Sequence, residues 1–295
     1  AKSMGVFLIG DLPFYVSRDS ADVWRDKSLF SISQKGDLLF QSGVPPDYFS
    51  STGQLWGTPT YYWSKHKRTN FSWWRKRFKR QFELIDVLRL DHFRALSGYW
   101  RVEGSAKNAI NGKWINSPGR ELLNYLKKDL RSDYLPIIAE DLGVITKDVE
   151  LLRDNYNLPG MKILQFAFDG NENNPYLPKN ISEDNWVVYT GTHDNATSTS
   201  WWACLDNHIK NNLKDNYNFS DNPSWDLIEI GMQTKANLFI SPIQDILSLD
   251  DSSRLNTPGT IKNNWRWKLN ITLDEIEVNL KKYSELGSIY GRINK

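Results

Sequence analysis

Cysteine is almost missing from this sequence. Cys204 is the only one among 295 residues, so an internal disulfide cannot form. Such a chain suits a reducing compartment, although a secreted protein without disulfides would have the same composition. We therefore expect a cytoplasmic protein.

Long apolar runs are also missing. No stretch approaches the roughly 20 consecutive apolar residues that a membrane-spanning helix needs. The N-terminal segment AKSMGVFLIGD carries an apolar run of about five residues, which is too short for the core of a signal peptide. Because this segment has no initiator Met and resembles a strand cut close to its start, we expect the chain to be a fragment.

The net charge is small. Lys and Arg number 37 and Asp and Glu 35, which gives +2, so neither a nucleic acid nor a membrane surface is expected as the main partner. The most basic segment is FSWWRKRFKRQFELI, residues 71–85. A nucleic-acid patch is one interpretation, but its aromatic residues recur every three or four positions. This spacing favours an amphipathic helix with a basic outer side.

Motifs typical of metal and cofactor enzymes do not occur. The four histidines show no metal-ligand spacing, and there is no C-x-x-C or H-E-x-x-H motif. No glycine-rich phosphate loop follows an apolar run, and no G-x-S-x-G elbow is present. We therefore expect no metal and no cofactor.

Short apolar runs bounded by Gly, Pro or charge are present. They are near-continuous, as in strands of a parallel sheet, and helix patterns such as GRELLNYLKKDL lie between them, so an α/β fold is predicted. Two segments, 14–84 and 205–236, interrupt the alternation as insertions, and the second is Asn-rich and includes helix. The six runs cover residues 5–13, 85–93, 135–143, 161–169, 186–194 and 237–247.

Charged side chains collect at the C-terminal ends of these runs. One acidic strand end can be a helix cap, but several with matching placement indicate a shared site, because (β/α) barrels build their active sites there. The residues concerned are Asp11, Arg89, Asp91, Glu140, Asp141, Asp169, His193, Asp194 and Asp245.

Two of these carboxyl groups have contrasting surroundings. Arg89 and Asp91 are two residues apart on one strand, so they point the same way, and the guanidinium favours an ionised carboxylate. Glu140 ends an apolar strand with no basic neighbour in sequence, so burial is expected to raise its pKa. A nucleophile and a general acid tuned in this way are typical of glycoside chemistry. The alternative for Arg89 and Asp91 is a structural ion pair.

Several motifs resemble the 4-α-glucanotransferases, the amylomaltase or disproportionating-enzyme family (glycoside hydrolase family 77). DVLRLDHFRAL, IIAEDLG and YTGTHDNATSTSWW resemble the family's catalytic strand ends. SGVPPDYFSSTGQLWGTPTYYW, residues 42–63, resembles its loop over the active site. GDLPFYVSRDSADVW, LPGMKILQFAF and RLNTPGT also match, so the similarity extends over nearly the whole chain.

The resemblance implies specific roles. Asp91 would be the nucleophile, Glu140 the acid and base, and Asp194 the stabiliser of the transition state. For Tyr48 and Trp56 loop packing is the alternative to sugar binding. Ala95 and Ala196 depart from the residues usual in the family and leave subsite details open. The implied substrate-binding residues are Asp11, Tyr48, Gln54, Trp56, Arg89, His92, His193 and Asn256.

The implied fold is a (β/α)₈ barrel with inserted helical subdomains, incomplete here because about six of the eight strands are present and the first two are missing. Residues 1–295 would be the C-terminal portion of the catalytic barrel. The loop 42–63 would belong to the insertion 14–84. We expect these 295 residues alone to be poorly soluble and inactive.

The implied activity is transfer of α-1,4-glucan segments to the 4-hydroxyl of another sugar, with retention and without a cofactor. The substrates would be α-1,4-glucans and malto-oligosaccharides, in the cytoplasm or in the plastid of a plant or alga. Two alternatives stay open: a hydrolase of the wider α-amylase clan, and an inactive glucan-binding fragment.

Overall fold

A computed structural model describes residues 1–46 and 50–293 of the chain. The chain divides into two compact units, Ala1–Gly160 and Met161–Lys295. Elements of the first unit, in chain order, are β1 Ile9–Pro13, α1 Ala21–Arg25, β2 Phe40–Val44, β3 Gln54–Pro59, α2 Trp63–Arg68, α3 Ser72–Phe82, β4 Val87–Asp91, β5 Gly98–Glu103, β6 Gly112–Asn116, α4 Gly119–Leu130, β7 Ile137–Ala139 and α5 Lys147–Asn155.

A three-stranded parallel sheet carries the predicted strands of the first unit. Its order is β1-β4-β7, and the register pairs Asp11 with Arg89 and Leu90 with Ala139. Burial alternates along strand β4. Leu88 and Leu90 are fully buried, whereas Val87, Arg89 and Asp91 are only part-buried. The alternation therefore turns the charged side chains of this strand away from the core.

A four-stranded antiparallel sheet, in the order β3-β2-β5-β6, was not predicted from the sequence. The insertion 14–84 supplies β2 and β3 as well as helices, so the expectation of a helical insertion is only partly met. Two glycines allow the hairpin of β2 and β3. A Cβ on Gly43 would lie 2.1 Å from the carbonyl oxygen of Gln54, and Gly53 has a φ of +66°.

The predicted amphipathic helix is α3. It buries Trp73, Trp74 and Phe78 against a core rich in aromatic side chains. On its outer side Arg75 donates two hydrogen bonds to the carboxylate of Asp129, at 2.6 and 2.5 Å. Arg75 therefore has a structural role on the outer side of this helix.

The second unit contains a sheet of β8 Gly160–Ile163, β9 Trp186–Tyr189 and β10 Leu238–Ile240. Its order is β10-β9-β8, and β10 pairs with β9 in parallel. Segment 205–236 contains two helices, which confirms that it includes helix. Thr272 and Glu275 form a capping box at the start of the last helix. The other elements are α6 Ser198–Cys204, α7 Asn207–Tyr217, α8 Pro223–Gln233, α9 Ile243–Ile246 and α10 Leu273–Ile289.

Within residues 1–46 and 50–293, no helix is both long and apolar enough to cross a membrane. In the same residues, no group of three or more His, Cys, Asp or Glu side chains could hold a metal ion.

Candidate active site

Arg89 connects two carboxylates, that of Asp11 in the middle of β1 and that of Asp91 at the end of β4. Its Nη1 donates to both carboxylate oxygens of Asp11 at 2.8 Å, and its Nη2 donates to Oδ1 of Asp91 at 3.2 Å. The predicted contact between Arg89 and Asp91 is therefore confirmed. The Arg89 side chain is only 12% exposed, whereas those of Asp11 and Asp91 are 47% and 43% exposed. A part-buried cation thus contacts two carboxylates that solvent or a ligand can reach.

Neighbouring carboxylates keep the Arg89 guanidinium protonated. Burial acts to lower the pKa of the guanidinium, but the charges of Asp11, Asp91 and Glu140 outweigh burial, and the pKa is raised. Arg89 therefore stays protonated next to the two Asp carboxylates. Arg89 therefore forms a bridge between two carboxylates rather than a single ion pair.

Glu140 follows β7 directly, one residue beyond the pairing of Ala139 with Leu90. Asp91 stands one residue beyond Leu90, so Asp91 and Glu140 end neighbouring parallel strands. Such strands lie about 4.8 Å apart. The Glu140 carboxyl accepts hydrogen bonds from two backbone N–H groups, those of His92 at 2.7 Å and Leu142 at 3.1 Å.

Glu140 has the raised pKa that its sequence context predicted. Burial, and next the negative charge of Asp91, raise its pKa to about 7. Arg89 and the two backbone N–H donors act in the opposite direction but do not cancel these effects. A carboxyl with a pKa near neutrality can both give and take a proton at physiological pH, as a general acid and base must.

His92 positions Glu140 through its backbone. Its φ of 51° and ψ of 48° lie in the left-handed region, and this turn directs its N–H at Glu140. The imidazole packs edge-on against the indole of Trp56, with 4.8 Å between the ring centroids. Burial, and then the charge of Arg94, lower the pKa of His92 to about 3, so the ring is neutral at physiological pH.

The loop predicted over the site supplies β3. Gln54 and Trp56 lie on this strand, and the indole N–H of Trp56 donates to Oε1 of Gln54 at 3.3 Å. Tyr15, which the sequence did not single out, packs against Trp56 at 5.8 Å and against His92 at 5.9 Å. Tyr48 lies outside the described residues.

Three acidic residues at the ends of apolar runs have other roles. Asp141 is buried and forms a 2.5 Å ion pair with Arg153 of α5. Asp169 is exposed, six positions after β8 ends, and accepts a hydrogen bond from the N–H of Asn171. Asp245 lies on α9, because Pro242 separates this helix from β10. These three residues therefore have partners other than Asp91, Glu140 and Asp194.

Asp245 stabilises the second unit from within. It is 1% exposed, and its carboxylate accepts from Thr190 Oγ1 at 2.5 Å and from the N–H and Oγ of Ser198 at 2.8 Å. Burial raises its pKa, and these hydrogen bonds act to lower it. The carboxylate ties the end of β9 to the beginning of α6.

Asp245→Ala should lower the free energy of unfolding by about 2–4 kcal/mol, because three buried donors lose their acceptor. Urea denaturation followed by circular dichroism measures the loss. Asp215→Ala, an exposed position on α7, serves as the control and should change stability by less than about 0.5 kcal/mol. Equal stability of the two variants would remove Asp245 from this role.

The second unit brings three predicted site residues together. Asn256 Nδ2 donates to Oδ1 of Asp194 at 2.6 Å, and His193 Nε2 lies 3.5 Å from the same oxygen. The backbone N–H of Asn256 donates to the carbonyl of His193 at 3.1 Å. The motifs HDN and RLNTPGT are about 60 residues apart in the sequence but in contact in the structure. The contact includes the hydrogen bond from Asn256 to one oxygen of Asp194.

Arg254 supports this cluster and was not predicted. Its Nη2 donates to the carbonyl of Asp194 at 2.6 Å, and its Nε donates to the carbonyl of Asn256 at 2.9 Å. The guanidinium thus fixes the backbone on both sides of the contact between Asp194 and Asn256. Arg254 lies in the motif RLNTPGT, two residues before Asn256, and this placement could have indicated that it belongs to the site.

Fold and site together define a class of protein. The chain is an α/β protein in which an arginine-paired aspartate and a near-neutral glutamic acid end adjacent parallel strands. Retaining glycoside-active enzymes use a pair of carboxyl groups, one as nucleophile and one as acid and base.

Comparison with known proteins identifies the family. The sequence profile described as 4-alpha-glucanotransferase matches residues 1–273, and the chain belongs to this family, glycoside hydrolase family 77. A 4-alpha-glucanotransferase of Synechocystis is 46% identical over 274 residues, which cover 91% of this chain and 54% of that protein. The chloroplastic/amyloplastic 4-alpha-glucanotransferase DPE1 of Arabidopsis thaliana is 44% identical over 297 residues, covering 99% of this chain and 51% of its own length.

A solved structure has the same fold. Amylomaltase from Streptococcus agalactiae, in complex with acarbose, superimposes with a TM-score of 0.93 at 36% identity. The match covers 99% of this chain and 59% of that chain. The chain therefore spans about half the length of the curated relatives it matches.

Proposed function

We propose that the protein containing this chain is a retaining 4-α-glucanotransferase, which moves segments of α-1,4-glucans to the 4-hydroxyl of an acceptor glucan or glucose. The observation that carries the proposal is the pair at the ends of β4 and β7. Asp91 is paired with the part-buried Arg89, and Glu140 has a pKa of about 7. The names of the relatives support the same substrate class.

In the first step, a carboxylate oxygen of Asp91 attacks the anomeric carbon of the donor, and the bond from that carbon to the leaving oxygen breaks. Glu140 gives its proton to this oxygen, and the shortened glucan leaves with a free 4-hydroxyl. Proton donation requires the acid form of Glu140. Burial and the charge of Asp91 keep a large fraction of it protonated near pH 7.

In the second step, the 4-hydroxyl of the acceptor attacks the anomeric carbon of the ester, and Glu140 takes the hydroxyl proton. Formation of the ester has by then neutralised Asp91. Because the charge of Asp91 helps to raise the pKa of Glu140, this neutralisation lowers that pKa. Glu140 is then ionised when it must act as a base, and the bond to Asp91 breaks to restore both carboxyl groups.

The other site residues receive roles from their match to the family. Asp194 would stabilise the positive charge of the transition state, and its oxygen bound to Asn256 is fixed in position. Sugar hydroxyls would be bound by the remaining predicted residues, Asp11, Tyr48, Gln54, Trp56, Arg89, His92, His193 and Asn256. We also propose the (β/α)₈ barrel of the family as the fold, on the parallel sheets and the TM-score of 0.93.

Transfer is favoured over hydrolysis by the β2–β3 hairpin. It carries Trp56 and Gln54 beside His92, whose N–H contacts Glu140. An aromatic surface at this position can bind an acceptor sugar and exclude water from the ester intermediate. A glucan hydrolase of the α-amylase clan would need the same carboxylates but no such acceptor site.

The test is to incubate the protein that contains this chain with maltotriose. We expect a ladder of longer oligosaccharides together with free glucose, measured by chromatography. Products no longer than maltotriose would indicate a hydrolase and overturn the proposal. No product, with acarbose still bound, would indicate a glucan-binding protein without activity.

The cellular location is proposed from composition and relatives. Cys204 is free and exposed, as a reducing compartment allows. The relatives include a cyanobacterial and a chloroplastic/amyloplastic protein, so we propose the cytoplasm or a plastid.

A further inference from the structure

We propose that Trp265 is a sugar-stacking residue that binds an α-glucan beside Asp194 and thereby contributes to substrate specificity. The inference rests on the proposed function, because it names a binding residue for the same substrate. Trp265 belongs to the second unit and lies nine residues after Asn256 in the chain.

The indole of Trp265 is exposed next to the polar cluster. The residue is 62% exposed, and its ring centroid lies 5.2 Å from that of His193, at an angle of 40° between the planes. His193 Nε2 in turn lies 3.5 Å from Asp194. A cleft lined by His193, Arg254 and Leu255 adjoins the same place. An apolar ring beside carboxylate and imidazole groups offers both a face for stacking and partners for hydroxyls.

The backbone of Trp265 has an unfavourable conformation. Trp265 has a φ of 59°, a left-handed conformation that is uncommon for a bulky side chain. Its backbone N–H donates to the carbonyl of Leu255 at 2.6 Å, which closes the segment. Strain at one residue persists where surrounding contacts enforce it, and such positions cluster at ligand-binding sites.

Asn264 provides those contacts. Its Oδ1 accepts from the N–H of Thr257 at 3.1 Å, and its Nδ2 donates to the carbonyl of Thr260 at 3.0 Å. These bonds fix the turn that follows Asn256, and Trp265 comes directly after Asn264. Trp265 therefore follows a turn that begins next to Asn256, the residue that donates to Asp194.

Core packing does not explain Trp265. Tryptophans with a packing role in this chain are buried, as Trp74 and Trp225 are, at 0% and 6% exposure. The exposed indole of Trp265 therefore presents apolar surface that contacts within the second unit leave uncovered. Stacking of a pyranose face on the indole would remove this apolar surface from water.

The experiment compares Trp265→Ala and Trp265→Phe with Trp24→Ala. Trp24 is 82% exposed on α1 in the other unit, which makes it a matched control. Acarbose binding is measured by calorimetry on the protein that contains this chain, and thermal melts verify folding. We expect Trp265→Ala to weaken binding about 3- to 10-fold, Trp265→Phe to recover most of the loss, and Trp24→Ala to match the parent.

Kinetics with maltotriose separate binding from positioning. Loss of a stacking platform should raise KM by a similar factor and change kcat less than about twofold. If Trp265→Ala binds acarbose as Trp24→Ala does, the inference fails even though transfer activity remains. If the parent shows no transfer but its acarbose affinity depends on Trp265, the proposed function fails and the stacking role stands.

Discussion

Asp91→Asn is expected to lower transfer activity by a factor on the order of 10⁴ or more, because the amide cannot form the covalent intermediate. The fold should survive the change. Arg89 keeps its two hydrogen bonds to Asp11, and the amide oxygen of the new Asn can still accept from Nη2. Acarbose affinity should stay within about threefold of the parent. Maltotriose disproportionation and calorimetry provide the two measurements.

Trapping of the intermediate makes this prediction specific. An activated fluorosugar donor should label the parent at Asp91, detected by mass spectrometry of peptides, and should not label Asp91→Asn. Asp129→Asn is a matched control, because Asp129 is also paired with an arginine, Arg75, but lies on the outer side of the first unit. Near-normal turnover of Asp91→Asn would remove Asp91 from the role of nucleophile.

The parallel strands could be predicted from sequence because their signal is local. Each of the six apolar runs contains a strand, and the two-residue spacing of Arg89 and Asp91 directly determines their shared face. The raised pKa of Glu140 followed from the apolar segment around it. Where the chemistry depends on neighbours within a few residues, the sequence is sufficient.

The antiparallel sheet could not be predicted in the same way. Its strands β2 and β5 pair residues about 60 positions apart, such as Gln41 with Val102. The strands are short and interrupted by glycines, including Gly43, whose missing side chain lets two backbones approach closely. Pairing of this kind depends on tertiary contacts that no local pattern records.

Acidic residues near strand ends cannot be told apart from the sequence alone. Asp245 and Asp194 both lie near the end of an apolar run. Asp245, however, is buried and accepts hydrogen bonds from Thr190 and Ser198, whereas Asp194 accepts one from Asn256. The distinction depends on partners about 50 to 60 residues away. Pro242 was the local signal that β10 ends before Asp245.

Glu140→Gln is expected to lower transfer from natural glucans by a factor of about 10²–10⁴, because the amide cannot protonate the leaving oxygen. A donor with a good leaving group, such as α-glucosyl fluoride, does not need this proton. Formation of the glycosyl-enzyme from the fluoride should therefore stay near the parent rate, measured by release of fluoride. Glu103→Gln at the exposed end of β5 is the control and should behave as the parent with both donors.

The pH dependence tests the same assignment. Because the acid form of Glu140 is required and its pKa is about 7, kcat/KM of the parent for maltotriose should be highest below pH 7 and fall tenfold per pH unit above it. With the fluoride donor this alkaline decline should disappear from the first step. A profile for maltotriose that stays flat to pH 9 would contradict the role of Glu140 as the acid.

The two carboxyl groups are coupled, and the coupling can be measured without turnover. The charge of Asp91 raises the pKa of Glu140, so the pKa of Glu140 in Asp91→Asn should fall below about 7. Carbon NMR of labelled glutamate carboxyls, assigned with Glu140→Gln, reports that pKa directly. An unchanged value would mean that Asp91 does not influence Glu140, and the change of Glu140 from acid to base between the two steps would need another cause. A lowered value would reproduce, in a stable variant, the charge state that the glycosyl-enzyme has when Glu140 must accept a proton.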